Sequence, residues 1–111
     1  NGDGEQSRDF VYVEDVVQAN LLACVASHEA AGEAYNVAAG KRSSLNEMYA
    51  VLSKLLNKDL QPVFGPVRKG DIRRSGADIA KIRKHLGYHP EYDFARGITE
   101  AIQWYKENLK A

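Results

Sequence analysis

Nine residues, Val67-Arg68-Lys69-Gly70-Asp71-Ile72-Arg73-Arg74-Ser75, place four cations and one acid around a glycine, and neither a helical nor a strand period runs through them. Gly65-Pro66 supplies turn chemistry immediately upstream. Such a stretch is a loop. A loop this rich in paired charge is better suited to hold a ligand than to fill a core. Arg68 is the natural anion clamp, because a guanidinium meets phosphate through two parallel hydrogen bonds. Gly70 lets backbone come close, and Asp71, an acceptor only, suits sugar hydroxyls rather than phosphate. A phosphate donor and a hydroxyl acceptor in one loop point to a nucleotide or a nucleotide-sugar. The alternative is a solvated basic turn with an Asp71–Arg73 pair on its rim, and composition alone favours that alternative.

The totals narrow the class. At 111 residues the chain suffices for one small domain with a thin stability margin. A formal net charge of +0 argues against general nucleic-acid binding, which draws on a basic surplus. No apolar run approaches membrane-spanning length, so no membrane partner is expected. The single Cys24 excludes an internal disulfide and fits a reducing compartment, so the expected location is the cytoplasm. The opening Asn-Gly-Asp-Gly is a turn with nothing apolar in it, and the expectation is that the chain begins inside a longer protein.

Along the chain, Phe10–Val13 reads as a short strand. A helix succeeds it from about Glu14 to Ser27, with Val13, Val16, Val17, Leu21, Cys24 and Val25 on a buried face and Glu14 and Asp15 favoured by the dipole of its first turn. Cys24 is expected to be an inert core thiol. Ala34–Ala38 is a second strand, in which Asn36 is assigned a structural role. Ser44-Leu45-Asn46-Glu47 is a capping box opening a helix with Leu45, Met48, Tyr49, Leu52, Leu55 and Leu56 on one stripe. Gln61–Phe64 is a third strand, confined by Pro62 to a sheet edge. Asp78 caps a short helix with Ile79, Ile82 and Leu86 inward and Gly87 as its stop, and Asp93 caps the last helix, carrying Ile98, Ala101, Ile102, Tyr105 and Leu109. His85 and His89 have a metal-ligand spacing, but Gly87 and Pro90 break the helix they would need, so no metal site is expected. The fold class is α/β. Three short strands make a poor sheet alone, and Ala34–Ala38 is suited to joining a larger parallel sheet.

Four motifs in order carry a family likeness. The run Gly2-Asp3-Gly4-Glu5-Gln6-Ser7-Arg8-Asp9-Phe10-Val11-Tyr12-Val13-Glu14-Asp15-Val16 resembles a signature of the extended short-chain dehydrogenase/reductases that epimerise or dehydrate nucleotide-sugars. Ala34-Tyr35-Asn36-Val37-Ala38-Ala39-Gly40 with Ser44-Leu45 is similar to their last Rossmann strand and the helix after it. Arg68-x-Gly70-Asp71 with Ala77-Asp78 resembles their substrate loop, and Leu86-Gly87-Tyr88-x-Pro90 with Gly97 and Trp104-Tyr105 resembles their C-terminal end. The nearest resemblance is to the UDP-N-acetylglucosamine 4-epimerases, in which a bound NAD takes a hydride from sugar C4 and returns it to the opposite face. The resemblance implies that residues 1–111 form a C-terminal nucleotide-sugar-binding domain, with the last Rossmann strand at about 34–38. The glycine loop and Tyr-x-x-x-Lys pair of the NAD-binding domain are absent, so NAD is expected to bind to an N-terminal domain outside this chain. Catalytic and cofactor-binding residues are therefore expected to lie elsewhere. The resemblance carries Arg8 and Arg68 over as diphosphate ligands and Asp71 as the ribose acid. Phe10 stands for an aromatic that flanks the ribose, Ser75 for the position over the sugar ring, and Asp15 and Asp78 for helix caps. The implied partner is a UDP-sugar, and the intact enzyme is expected to be a homodimer. A UDP-glucuronate epimerase or decarboxylase, a related dehydratase, and a non-catalytic binding module are the alternatives.

Overall fold

The computed structural model describes residues 1–109. In chain order its elements are β1 (Ser7–Arg8), α1 (Val13–Cys24), a single 3₁₀ turn (His28–Ala30), β2 (Ser43–Ser44), α2 (Leu45–Leu56), α3 (Ala80–Leu86) and α4 (Phe94–Asn108). The helix starts obey local chemistry. Ser44 Oγ accepts the Glu47 N–H at 3.1 Å while the Glu47 carboxylate accepts the Ser44 N–H at 2.7 Å, closing the expected capping box on α2. Asp93 accepts the Arg96 N–H at 2.8 Å and opens α4. Asp78 is not the N-cap expected of it: α3 starts one residue later, with Ile79 at the N-cap and no side-chain cap bond, and the Asp78 carboxylate instead accepts the Ala80 N–H at 2.8 Å, while Gly87 ends that helix in the left-handed region at φ 67°.

The strands depart from expectation. Phe10–Val13, Ala34–Ala38 and Gln61–Phe64 enter no ladder among the described residues. The ladder is instead β1 with β2, antiparallel, pairing Ser7 with Ser44 and Arg8 with Ser43. A ladder needs a partner backbone at about 4.8 Å, and none among the described residues pairs with 34–38. Side chains tie that segment instead. Lys81 Nζ donates to the Ala34 carbonyl at 3.0 Å and Asn36 Nδ2 to that of Asp78 at 3.4 Å, the structural role expected of Asn36. The Asp9 carboxylate accepts the N–H groups of Ala39 and Gly40 at 2.8 and 2.9 Å.

The core joins α1, the 34–38 segment and α3 through Ala19, Ala38, Ile79, Ile82 and Tyr88, with Leu22, Tyr35, Val37, Ala77 and Leu86 packed around them. Tyr88 is fully buried, and its hydroxyl donates to the Ala38 carbonyl at 2.8 Å. Two expectations about α1 are corrected. The row Val13, Val17, Leu21 and Val25 faces solvent, and Cys24 is exposed rather than a core thiol. The reason is the buried Asp15. It is not a helix cap, since its carboxylate accepts the backbone N–H groups of Glu91 and Tyr92 at 2.9 and 3.2 Å. A buried carboxylate must be paired in this way, and the two bonds turn the Asp15–Ala19–Leu22 side of α1 inward. On the other side α2 packs on α4. The radius of gyration is 16.8 Å, against about 13 Å for a compact domain of this length, and the extents of 51 × 35 × 19 Å make the molecule a slab.

The 88–96 turn is also held from outside. Tyr92 donates its hydroxyl to Glu14, lies 4.6 Å from the Tyr12 ring, and carries the Arg96 guanidinium 4.2 Å above its own ring. The Glu14 carboxylate pushes the Tyr92 hydroxyl up to about 12, while burial raises Tyr12 and Tyr88. A phenol raised above its unfolded value of about 10 contributes stability fully present below pH 10 and lost as pH rises through 12. Denaturant melts at pH 9, 10.5 and 12 should show that loss, and Tyr92→Phe should flatten it. An identical pH profile in the variant would separate the Tyr92–Glu14 bond from alkaline stability.

Candidate functional site

The loop singled out from the sequence is laid along residues 2–8. The Gly2 N–H donates to the Gly65 carbonyl at 3.0 Å. Arg73 holds Asp3 through both terminal nitrogens, at 3.2 and 3.0 Å, and lowers the Asp3 pKa. The Ser7 N–H donates to the Arg73 carbonyl at 2.9 Å and the Ser75 N–H to the Ser7 carbonyl at 3.0 Å. These last two bonds make a parallel bridge between Ser7 and Arg74. β1 is thereby the middle of a three-segment patch, with β2 on one side and residues 73–75 on the other.

Register now places side chains. Because neighbouring residues alternate between faces, Arg8, its partner Ser43, and Ser75 leave this patch on the same face. Asp71 joins them from the loop. The Asp71 N–H donates to the Arg68 carbonyl at 3.1 Å and Gly70 has φ 81°, which is a type II turn. Gly70 is thus favoured by conformation, and the space around it is open. The turn delivers Asp71 Oδ1 to Arg8 Nη2 at 2.7 Å. The Asp71–Arg73 rim pair of the alternative reading does not form; Arg8–Asp71 and Arg73–Asp3 pair instead.

Of the residues proposed from sequence, Arg8, Asp71 and Ser75 come together. Arg68 opens the turn with its side chain exposed and no ion pair among the described residues. Phe10 sits apart from them: its ring lies 5.4 Å from Phe94 and among Met48, Leu52 and Ile98 in the groove between α2 and α4. It also borders a cleft of about 740 Å³ with Ser43, Arg42, Arg83 and Tyr92, a volume within the range of small-ligand sites. Ser43 and Asp3 were not foreseen. Their signal is pairing across 35 to 70 residues of sequence, which no local pattern carries.

Residues 1–101 match the sequence profile of the GDP-mannose 4,6-dehydratase family. The chain belongs to that family. Its solved relatives are extended short-chain dehydrogenase/reductase enzymes, and the family's likeness to this chain falls on their C-terminal part. The UDP-glucose 4-epimerase of Thermotoga maritima, solved with UDP-glucose, is 36% identical with a TM-score of 0.90, over 98% of this chain and 34% of that one. The UDP-N-acetylglucosamine 4-epimerase of Methanobrevibacter ruminantium, in complex with UDP-N-acetylmuramic acid, is 33% identical with a TM-score of 0.87, over 97% and 34%. MoeE5, in complex with UDP-glucuronic acid and NAD, is 31% identical with a TM-score of 0.88, over 97% and 36%. The chain spans about a third of the length of the curated relatives it matches. The α/β class of the family holds, as mixed helices and short strands.

The family's nicotinamide cofactor does not fit the residues present. The sequence has no Gly-x-x-Gly-x-x-Gly loop and no Tyr-x-x-x-Lys pair. The left-handed glycines Gly2, Gly4, Gly32, Gly40, Gly70 and Gly87 close separate turns rather than one phosphate cradle. No step of hydride transfer is assigned to this chain. Among the described residues no helix is long and apolar enough to cross a membrane, and no group of three His, Cys, Asp or Glu is arranged around a metal ion.

Proposed function

We propose that this chain is the C-terminal, substrate-binding part of an NAD-dependent nucleotide-sugar 4-epimerase acting on UDP-N-acetylglucosamine or UDP-glucose. The observation that carries the reading is the meeting of Arg8 and Asp71 across 63 residues, from two separate motifs, at 2.7 Å. In this reading Arg8 and Arg68 bind the diphosphate, Asp71 accepts a ribose hydroxyl, Phe10 walls the nucleotide side, and Ser75 lies over the sugar ring. The chain's residues bind and orient the substrate. NAD, and the base that works with it, belong to a domain outside residues 1–111.

The test compares two preparations. The intact enzyme should interconvert UDP-N-acetylglucosamine and its 4-epimer, whereas residues 1–111 alone should neither turn over any UDP-sugar nor bind NAD by calorimetry. Tight NAD binding to the isolated chain, or an intact enzyme inert on every UDP-sugar, would sink the reading.

The intact enzyme is proposed to be a homodimer, and the isolated chain to self-associate. The 34–38 backbone joins no ladder among the described residues, and α1, which shares a core with it, exposes the row Val13, Val17, Leu21 and Val25. A second copy offers the same edge and the same apolar row, so isologous contact can cover them. Light scattering should report a dimer or larger species, and Val17→Lys with Leu21→Lys should return a monomer. A clean monomer at millimolar concentration contradicts this.

A further inference from the structure

We propose that Asp71 is the positioning residue for Arg8. One carboxylate oxygen holds the guanidinium ready for a diphosphate, and the other stays available to a sugar hydroxyl. This rests on the reading of the loop as a nucleotide-sugar site, and it assigns Asp71 a second task there.

The geometry is specific. Arg8 Nη2 donates to Asp71 Oδ1 at 2.7 Å and Nη1 to the Ser7 carbonyl at 2.8 Å, so the guanidinium is fixed at both terminal nitrogens. The side chains of Arg8 and Asp71 are 30% and 28% exposed, shielded more than the Arg73–Asp3 pair at 62% and 56%. Pairing is not interchangeable either, because Asp3 occupies Arg73, the arginine nearest Asp71 in sequence. Asp71 itself has little freedom, since the type II turn fixes its backbone. Asp71 Oδ2 makes no hydrogen bond among the described residues. A guanidinium has five N–H donors and two are used here, which leaves three for a phosphate.

Coulomb's law by itself argues against this arrangement. A carboxylate beside a phosphate site repels the ligand, so removing its charge should tighten binding. The opposing effect is order. A long arginine side chain loses rotamer freedom when it grips a ligand, and a residue that has already immobilised it removes that cost from the binding step. The two effects have opposite signs, so one experiment decides between them.

The experiment measures inhibition of the intact enzyme by UDP and by uridine, which lacks the diphosphate. Asp71→Asn should weaken UDP about tenfold, the equivalent of one charge-assisted hydrogen bond. Uridine should change by less than about threefold, since the amide oxygen still accepts a hydroxyl. Arg8→Ala combined with Asp71→Asn should be no weaker for UDP than Arg8→Ala alone, within about twofold, because the aspartate acts through the arginine. Asp71→Glu, which keeps the charge, should recover most of the UDP affinity. Three results overturn the proposal while leaving the nucleotide-sugar reading intact: tighter UDP in Asp71→Asn, equal losses for UDP and uridine, or additive losses in the double variant. A wild-type enzyme that UDP does not inhibit removes both.

Discussion

Arg68→Ala in the intact enzyme is expected to raise KM for UDP-sugars and to weaken UDP inhibition by about ten- to a hundredfold, and Arg8→Ala to do the same. The range comes from a charge-assisted bond contributing roughly 1.5–3 kcal/mol net, with about 1.4 kcal/mol for each factor of ten. The two arginines should differ within it. Arg8 is partly shielded and held by Asp71 and the Ser7 carbonyl, so its contact is preorganised. Arg68 is exposed at the head of the turn, where water and salt weaken a charge interaction. The Arg68 effect should therefore sit toward the lower end and shrink as ionic strength rises, while the Arg8 effect persists. A UDP inhibition constant unchanged by Arg68→Ala would mean that the loop is only a solvated turn, the reading that composition alone favours.

The features legible in the sequence are those that depend on near neighbours. Ser44 and Glu47 are three residues apart, and both halves of their capping box form. Asp93 caps α4 and Gly87 ends α3 for equally local reasons. Ile79 and Ile82 are buried as their spacing requires. The illegible part depends on distant partners. Serine and arginine are poor strand formers, yet Ser7–Arg8 becomes the centre of the only ladder among the described residues, because backbone from 43–44 and 73–75 arrives on both sides. Asp15 has the sequence context of a first-turn acid, but its partners are the N–H groups of Glu91 and Tyr92. That contact rotates α1 away from the face its apolar spacing indicates. The same limit applied at the site. Local proximity pointed to Asp71 with Arg73, and the fold chose Asp71 with Arg8. The family resemblance singled out the loop and the arginine of the β1 motif, while the ion pair between them could be read only from coordinates.

Ser75→Tyr is expected to cut kcat/KM for UDP-N-acetylglucosamine by at least about tenfold more than for UDP-glucose, the scale on which a pocket discriminates by size. The family resemblance puts this position over the sugar ring, seven residues after the loop arginine, and strict UDP-glucose 4-epimerases tend to carry a tyrosine there. The structure fixes where such a ring would go. The Ser75 N–H is bonded to the Ser7 carbonyl, so its backbone cannot swing away. Alternation then sends the side chain to the face of Arg8 and Ser43. The opposite face is closed at the next residue, because a Cβ on Gly76 would lie 2.9 Å from Arg42 Cδ. A tyrosine at 75 therefore has to occupy space beside Arg8, and if Ser75 lies over the sugar ring as proposed, the tyrosine ring competes with a 2-acetamido group for room. A structural role for the serine is the competing account, since small polar residues often cap turns. Against it, the Ser75 hydroxyl makes no hydrogen bond among the described residues, and the first N–H of the next helix is taken by the Asp78 carboxylate. Ser75→Ala separates the two further: a gate of small volume keeps its selectivity with alanine, whereas a hydroxyl needed for the N-acetyl group loses it. Equal losses on both sugars in Ser75→Tyr, or no change on either, would show that Ser75 does not set substrate size.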